Sequence, residues 1–130
     1  RDLGFTAADR SENLRRAAEI ARLLNNQGIT VIAAFVSPDA TVRSRFKERV
    51  GDERSIEVFV DTPIEVCRDR DASGLYERAD TGEIADFPGV SAPYDHAETF
   101  DLRLDASVLS IEESVAAIIE MLGDHGHLRG

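Results

Sequence analysis

Hydrophobic and polar residues follow two kinds of pattern along this chain, one typical of helices and one typical of buried strands. Between residues 6 and 28 apolar side chains recur every three or four positions, which predicts an amphipathic helix. Thr6 and Asp9 form a capping box at its start, and Gly28 supplies its stop. From Ile29 to Val36 the chain is continuously apolar and rich in branched side chains, which predicts a strand buried on both faces.

The remaining chain continues this alternation of helices and strands. The pattern predicts a helix from Pro38 to Val50, a strand from Ser55 to Asp61 and a helix that opens with a capping box at Thr62–Glu65. It then predicts a strand at Leu102–Leu104 and a helix capped by Ser110 and Glu113. On the last helix, the face expected to pack on the core consists of Ile111, Val115, Ile118, Ile119 and Leu122. The order predicts an α/β fold with a parallel sheet flanked by helices.

Residues 74–99 show no regular period and contain Gly82, Pro88, Gly89 and Pro93. Ordered excursions of this length are usually functional. An aromatic side chain on such a segment, for example Phe87, either closes over a planar ligand ring or pins the loop to its own domain. The sequence by itself leaves both interpretations open.

Composition and charge exclude several classes of protein. The 25 acidic and 15 basic residues give a net charge of −10, which argues against nucleic acid or an anionic membrane as partner. Cys67 is the only cysteine, so no internal disulfide forms. No apolar run approaches the roughly 20 residues of a membrane span, so we expect a cytoplasmic protein. The two tail histidines, His125 and His127, are not interpreted as a metal site.

Candidate binding residues lie where ligands bind in parallel sheets, beyond the carboxyl ends of strands. Ser37 follows the first apolar run, where it either caps the next helix or contacts a ligand. No nucleophile elbow surrounds it. Arg10 and Asn13 share one face of the first helix near its amino end, where they either bind an anion or form a solvated surface.

Three further arginines, Arg68, Arg70 and Arg78, bracket the start of the excursion. Arginines on such a segment clamp phosphates or stack on a base. The alternative is a set of surface salt bridges with the neighbouring acidic residues. The sequence leaves both interpretations open.

Taken together, these segments resemble the adenylyl-sulfate kinase (APS kinase) family. The resemblance rests on the segments RDLGF at residues 1–5, DRSENLRR at 9–16, FVSP at 35–38, EVFVDTP at 57–63, GLY at 74–76, and PY at 93–94. It extends to about Leu122, so we expect an APS kinase-like domain over residues 1–122 and a frayed tail over 123–130. Within that domain, the resemblance implies a lid over residues of about 70–99. The family has the P-loop kinase fold and often forms homodimers.

The resemblance implies phosphorylation of adenosine 5′-phosphosulfate at its 3′-hydroxyl by ATP with Mg²⁺, a step of sulfate assimilation. It places the substrate against Phe5, Arg10, Asn13, Val36, Ser37, Pro38, Phe87, Gly89 and Val90, with Phe5 and Phe87 stacking on the adenine. Arg70 would lie near the ATP. Ser37 is the candidate catalytic residue because it matches a serine once proposed as a phosphorylated intermediate. Direct in-line transfer needs no covalent serine, so a pocket contact is favoured.

The sequence departs from the family pattern in two places. No Gly-x-x-x-x-Gly-Lys-[Ser/Thr] loop is present, and Lys47 is the only lysine. In the lid, Ser73 stands where the family usually has a lysine, and Glu77 and Asp80 stand where it has basic residues. Pro88 stands where the family has a threonine. Fewer positive charges beside anionic substrates should weaken binding.

Two interpretations fit these departures. The first is an APS kinase whose amino-terminal third, with the P-loop, lies outside the 130 residues. The second is a non-catalytic regulatory or ligand-binding domain, of the kind attached to ATP sulfurylase. We favour the kinase, and we expect no turnover from the 130 residues alone.

Overall fold

The computed structural model describes residues 2–4, 6–96 and 98–126. Their contacts separate into two units, one of residues 1–55 with 73–96 and one of residues 56–72 with 97–130. The helices and strands are α1 (Ala7–Asn25), α2 (Ala40–Val50), β1 (Val58–Val60), α3 (Ile64–Asp69), α4 (Leu75–Asp80), β2 (Leu102–Leu104) and α5 (Ile111–Asp124). No helix in the described ranges is long and apolar enough to span a membrane.

Helix α1 begins at its predicted N-cap, Thr6, and ends at Asn25, three residues before the glycine predicted to stop it. The Thr6 hydroxyl accepts a hydrogen bond from the Asp9 amide at 3.2 Å and donates to the Asp9 carboxylate at 2.8 Å. Past the last helical residue, Gly28 adopts a φ of +78°, a conformation that side chains other than glycine rarely adopt. Local hydrogen bonds therefore define both ends of this helix.

The core of the first unit lies between α1 and α2. Ala18 and Ala21 of α1 are buried against Val50 of α2, and Val31 and Phe46 pack against this cluster. The alanines are small, so the two helix backbones can approach closely. One helical stripe of apolar positions on α1 thus covers the inner face of α2.

The predicted strand at residues 29–36 is wrong for the structure as described, because this segment has no regular secondary structure. Ile32 is 94% exposed, and Phe35 and Val36 are also exposed. A buried strand needs neighbours that satisfy its backbone groups and cover its side chains. The described part of the first unit contains no strand that could pair with it.

Helix α2 begins two residues later than predicted, at Ala40 instead of Pro38. Asp39 is the N-cap, and its carboxylate accepts a hydrogen bond from the Val42 amide at 3.0 Å. Pro38 is buried and precedes the cap. The helix therefore takes its cap from an aspartate and leaves the Ser37 side chain out of this role.

The second unit is built on a two-stranded parallel sheet. β1 pairs with β2 in the register Val58 to Leu102 and Val60 to Leu104. β1 is shorter than the predicted strand, and next to it the Asp101 carboxylate accepts from the Glu57 amide at 2.7 Å. The parallel pairing that the alternating order predicts is confirmed.

The helices of the second unit follow their predictions only in part. α5 has the predicted capping box, since the Ser110 hydroxyl accepts from the Glu113 amide and the Glu113 carboxylate accepts from the Ser110 amide. It continues to Asp124, inside the segment predicted as a tail, whereas residues 127–130 lie outside the described part. At α3 the capping box is absent, because the N-cap is Pro63, which has no side-chain acceptor.

Candidate functional site

A cleft of about 340 Å³ opens in the first unit between the amino-terminal turns of α1 and α2. The segment before α2 forms one of its walls. Four predicted site residues line it together: Arg10, Val36, Ser37 and Pro38. Arg10 and Val36, which are 26 positions apart in sequence, are thus brought to the same cleft.

Ser37 contributes a buried hydroxyl to this cleft. Its oxygen is shielded from solvent and has no hydrogen-bond partner within the structure. Leaving a buried hydroxyl unpaired costs about 1–3 kcal/mol, so such groups are usually satisfied by water or by a ligand. Because Asp39 caps α2, the cap interpretation of Ser37 does not hold, and its unpaired hydroxyl is available to a ligand or to a water molecule.

The charges around the cleft favour an anion. Arg10 and Arg45 both line it, and Asp39 is the one acidic residue in its lining. The Asp39 carboxylate is already engaged by the Val42 amide. The first turns of α1 and α2 also add the partial positive charge of helix amino ends. An anionic group in this cleft would therefore meet more positive than negative charge.

Phe87 lies in a hydrogen-bonded turn of the same unit. Its ring packs edge-on against Tyr76, with ring centroids 5.1 Å apart. Its carbonyl accepts hydrogen bonds from three amides, those of Val90, Ser91 and Ala92. Gly89 occupies the turn with a φ of +80°. The half-buried Phe87 ring is therefore held against Tyr76 of the same unit.

Arg10 joins this turn to α1. One of its guanidinium nitrogens donates to the carbonyl of Asp86 at 3.0 Å, immediately before Phe87. Asp86 has a φ of +56°, which is unusual for a residue other than glycine. The arginine of the cleft and the aromatic turn are therefore in direct contact.

Some predicted site residues of the first unit do not line the cleft. Asn13 is exposed on α1, and Gly89 and Val90 belong to the Phe87 turn instead of the cleft wall. Phe5 lies outside the described residues. Arg70 belongs to the second unit, where it donates to the carbonyl of Ala106 at 2.8 Å.

Arg78 supports the salt-bridge interpretation of the lid arginines. It pairs with Glu83 at 2.8 Å. Hydrogen bonding between the two groups lowers the pKa of Glu83 and raises the pKa of Arg78. Both side chains are about half exposed, so the pair is a surface interaction of small energetic weight.

Two residues of the cleft region escaped the sequence analysis, Arg43 and Asp95. Arg43 donates to the carbonyls of Ser37 and Asp95 at 2.7 and 2.9 Å. The position of Arg43 near the start of α2 could have indicated its contact with the preceding segment, because helical side chains lean toward the amino end of their helix. Asp95 offered none, because its contacts reach residues more than 50 positions away.

The residues that the structure describes do not form a site for Mg²⁺, and the sequence contains no phosphate loop for a nucleoside triphosphate. Within the described ranges, no group of three or more His, Cys, Asp or Glu side chains could hold a metal ion. The sequence has no glycine-rich phosphate loop, and its one lysine, Lys47, lies inside α2. We therefore assign no Mg²⁺ ligand and no phosphate loop to the described residues.

Comparison with known proteins identifies relatives along the whole chain. The family model described as adenylylsulphate kinase matches residues 1–105. The adenylyl-sulfate kinase of Bacteroides thetaiotaomicron is 47% identical over 121 residues, which are 93% of this chain and 60% of that protein. The bifunctional enzyme CysN/CysC of Rhodopirellula baltica is 45% identical over 129 residues, 99% of this chain and 20% of that protein.

A solved structure gives the same result for the fold. The Mycobacterium tuberculosis APS kinase CysC, solved in complex with AMPPNP and APS, is similar with a TM-score of 0.86 and 41% identity. The similarity covers 94% of this chain and 71% of that one. The predicted α/β fold of P-loop kinase type is confirmed. The predicted resemblance is confirmed as well: the chain belongs to the adenylylsulphate kinase family.

Proposed function

We propose that the protein is an adenylyl-sulfate kinase and that the cleft between α1 and α2 binds adenosine 5′-phosphosulfate. The observation that carries the proposal is the unpaired, buried Ser37 hydroxyl in a cleft that also holds Arg10 and Arg45. A neutral donor and two cations suit a substrate with a phosphosulfate group and ribose hydroxyls. The similarity to an M. tuberculosis kinase solved with APS supports the same substrate.

In this proposal the cleft residues bind and orient the substrate, and none of them forms a covalent bond with it. Arg10 neutralises the phosphosulfate, and the Ser37 hydroxyl hydrogen-bonds the substrate. In-line transfer would form a bond between the 3′-hydroxyl oxygen and the γ-phosphorus of ATP while the bond to the leaving ADP breaks, and the hydroxyl proton would pass to solvent. No step of this transfer requires a phosphorylated serine, so Ser37 acts as a binding residue.

The remaining predicted contacts belong to the same proposal. Phe5 and Phe87 would stack on the adenine, with Asn13, Gly89 and Val90 nearby. ATP is the phosphoryl donor, with Mg²⁺ and Arg70 beside it, although these residues contain no cradle for the triphosphate. Homodimer formation and attachment to an ATP sulfurylase remain predictions. The R. baltica relative is itself a bifunctional enzyme.

The proposal is tested by calorimetric binding of adenosine 5′-phosphosulfate to the chain and to Arg10→Gln. Losing a charge-assisted contact to the phosphosulfate should weaken binding about tenfold or more. The matched control is Arg22→Gln, also on α1, whose arginine pairs with Glu19 and lies outside the cleft. Equal affinity of both variants would contradict the assignment of the cleft.

A second measurement separates the kinase from a regulatory domain. In a kinase the nucleotide and substrate sites are coupled, so ADP should change the affinity for adenosine 5′-phosphosulfate. A regulatory domain should bind the 3′-phosphorylated product with the same affinity whether or not nucleotide is present. The second outcome, together with no ATP-dependent product, would replace the kinase proposal with the ligand-binding one.

A further inference from the structure

A network of four hydrogen bonds joins α2, the segment before it and the end of the 74–96 segment. The Arg43 guanidinium donates to the carbonyl of Ser37 at 2.7 Å and to the carbonyl of Asp95 at 2.9 Å. The Asp95 amide donates to the carbonyl of Pro38 at 2.8 Å. The Asp95 carboxylate accepts from the Ala40 amide at 3.3 Å. We call these four bonds the Arg43–Asp95 clamp.

The two side chains suit this arrangement for different reasons. A guanidinium is planar and holds its donors in a fixed fork, so Arg43 can span two carbonyls that a lysine could not reach together. Its bond to the Ser37 carbonyl is partly buried, which strengthens it relative to one in water. The Asp95 carboxylate satisfies an amide in the first turn of α2, one of the donors that a helix leaves unpaired.

The clamp restrains the segment that carries Phe87 at one end, and Arg10 restrains it at the other. Arg10 of α1 holds the Asp86 carbonyl, and Arg43 of α2 holds the Asp95 carbonyl. Both helices line the cleft. The turn with the aromatic ring is thus tied to the two walls between which we place the substrate, and the same Arg43 holds the backbone of Ser37.

From this geometry we propose that Arg43 and Asp95 are positioning residues for the substrate cleft. They do not touch the substrate; they hold the Ser37 main chain and the end of the Phe87 segment in the binding arrangement. The inference rests on the proposed function, because it takes adenosine 5′-phosphosulfate as the ligand. Its consequence is that substrate affinity depends on the fork of Arg43 and on an acceptor at position 95, more than on their charges.

The test compares Arg43→Lys and Arg43→Gln with the matched control Arg49→Gln in calorimetric binding of adenosine 5′-phosphosulfate. Arg49 lies on the same helix and pairs with Glu19 outside the cleft, so its loss removes an equal charge. Both Arg43 variants should bind about tenfold more weakly, as expected for losing one charge-assisted hydrogen bond, and the control should bind normally. Normal binding by Arg43→Lys would overturn the clamp and leave only a charge effect.

A second pair of variants guards against a loss of folding at position 43. Asp95→Asn keeps an oxygen that can accept from the Ala40 amide, so it should bind the substrate like the parent chain. Asp95→Ala removes the acceptor and should bind more weakly. If Asp95→Asn and Asp95→Ala bind the substrate with equal affinity and unfold at the same thermal midpoint, a positioning role for this side chain is contradicted.

Hydrogen exchange at the Asp95 amide separates the clamp from the proposed function. This amide bonds the Pro38 carbonyl, so its exchange should accelerate in Arg43→Lys and stay unchanged in Arg49→Gln. If the parent chain binds no adenosine 5′-phosphosulfate, the proposed function and the clamp's role in binding both fail. If the parent binds and the variants exchange faster without losing affinity, only the positioning role fails.

Discussion

Helices α1 and α5 both show an amphipathic pattern and a side-chain cap, yet they differ in how much of their apolar face is buried. α1 buries Leu14, Ala18 and Ala21. α5 is the more hydrophobic helix, yet Ile111 is 79% exposed and Ile119 is 52% exposed. α1 packs along α2, whereas α5 has its main described contact with the three-residue strand β2. A hydrophobic stripe therefore shows which face needs cover, and only a partner element provides that cover.

The largest expected effect of this difference is on truncation of a leucine or isoleucine to alanine. Leu14→Ala removes a side chain that is 6% exposed, and it should lower the free energy of unfolding by about 2–5 kcal/mol. Ile119→Ala removes one that is already half in solvent, and it should cost less than about 1 kcal/mol. Chemical denaturation of both variants measures the two values. Similar losses would mean that the α5 face is covered as well as the α1 face.

An intermediate effect is expected at the two helix caps. Thr6→Ala removes the hydroxyl that accepts from the Asp9 amide, and Ser110→Ala removes the one that accepts from Glu113. Each should destabilise its helix by about 1 kcal/mol, because capping satisfies a local donor whether or not the helix is well packed. Thermal unfolding of both variants tests this. A loss at α1 several times the loss at α5 would show that capping depends on packing here.

The smallest effect concerns the pH dependence of the α1 surface. Hydrogen bonds from Arg15 and Arg16 lower the pKa of Glu12 from 4.5 to about 2. A carboxylate with a lowered folded pKa stabilises the protein above its unfolded value, and this contribution is lost as pH falls through about 2. Glu12→Gln should therefore flatten the pH dependence of the thermal midpoint below pH 4.5. Because the site is exposed, the change should be small and should shrink in high salt.

The same pH series can be measured for Glu113 on α5 and compared with the result for Glu12 on α1. There the Ser110 amide and hydroxyl lower the pKa of Glu113 in the capping box. Replacing Glu113 with Gln should flatten the acid dependence through the same sign of effect. An unchanged profile in both variants would contradict the lowered pKa values.

The elements that could be predicted from sequence are those whose hydrogen bonds close within a few residues. The caps at Thr6 and Ser110 join residues three apart, and the stop at Gly28 needs only its own backbone freedom. The candidate site was predictable in part for a related reason. Arg10 and Ser37 lie at the ends of elements, where exposed polar groups meet ligands.

The rest required the folded chain. The capping box at Thr62 fails because α3 begins one residue too late for its side chain. The apolar run at residues 29–36 predicts a buried strand, although in the structure its side chains lack cover. A pattern of apolar residues shows which side chains are more stable when buried. Whether they are buried depends on which segments pack beside them.

By itself, the sequence determined the parallel pairing of β1 with β2, the helix caps at Thr6 and Ser110, the family and the residue types at the cleft. The tertiary structure alone decided that Asp39 caps α2 and leaves Ser37 unpaired, and that Arg43 and Asp95 tie together segments 52 residues apart. The physical reason is the range of the interactions. Capping and periodicity act within one helical turn, whereas a clamp between distant carbonyls exists only after the chain has brought them together.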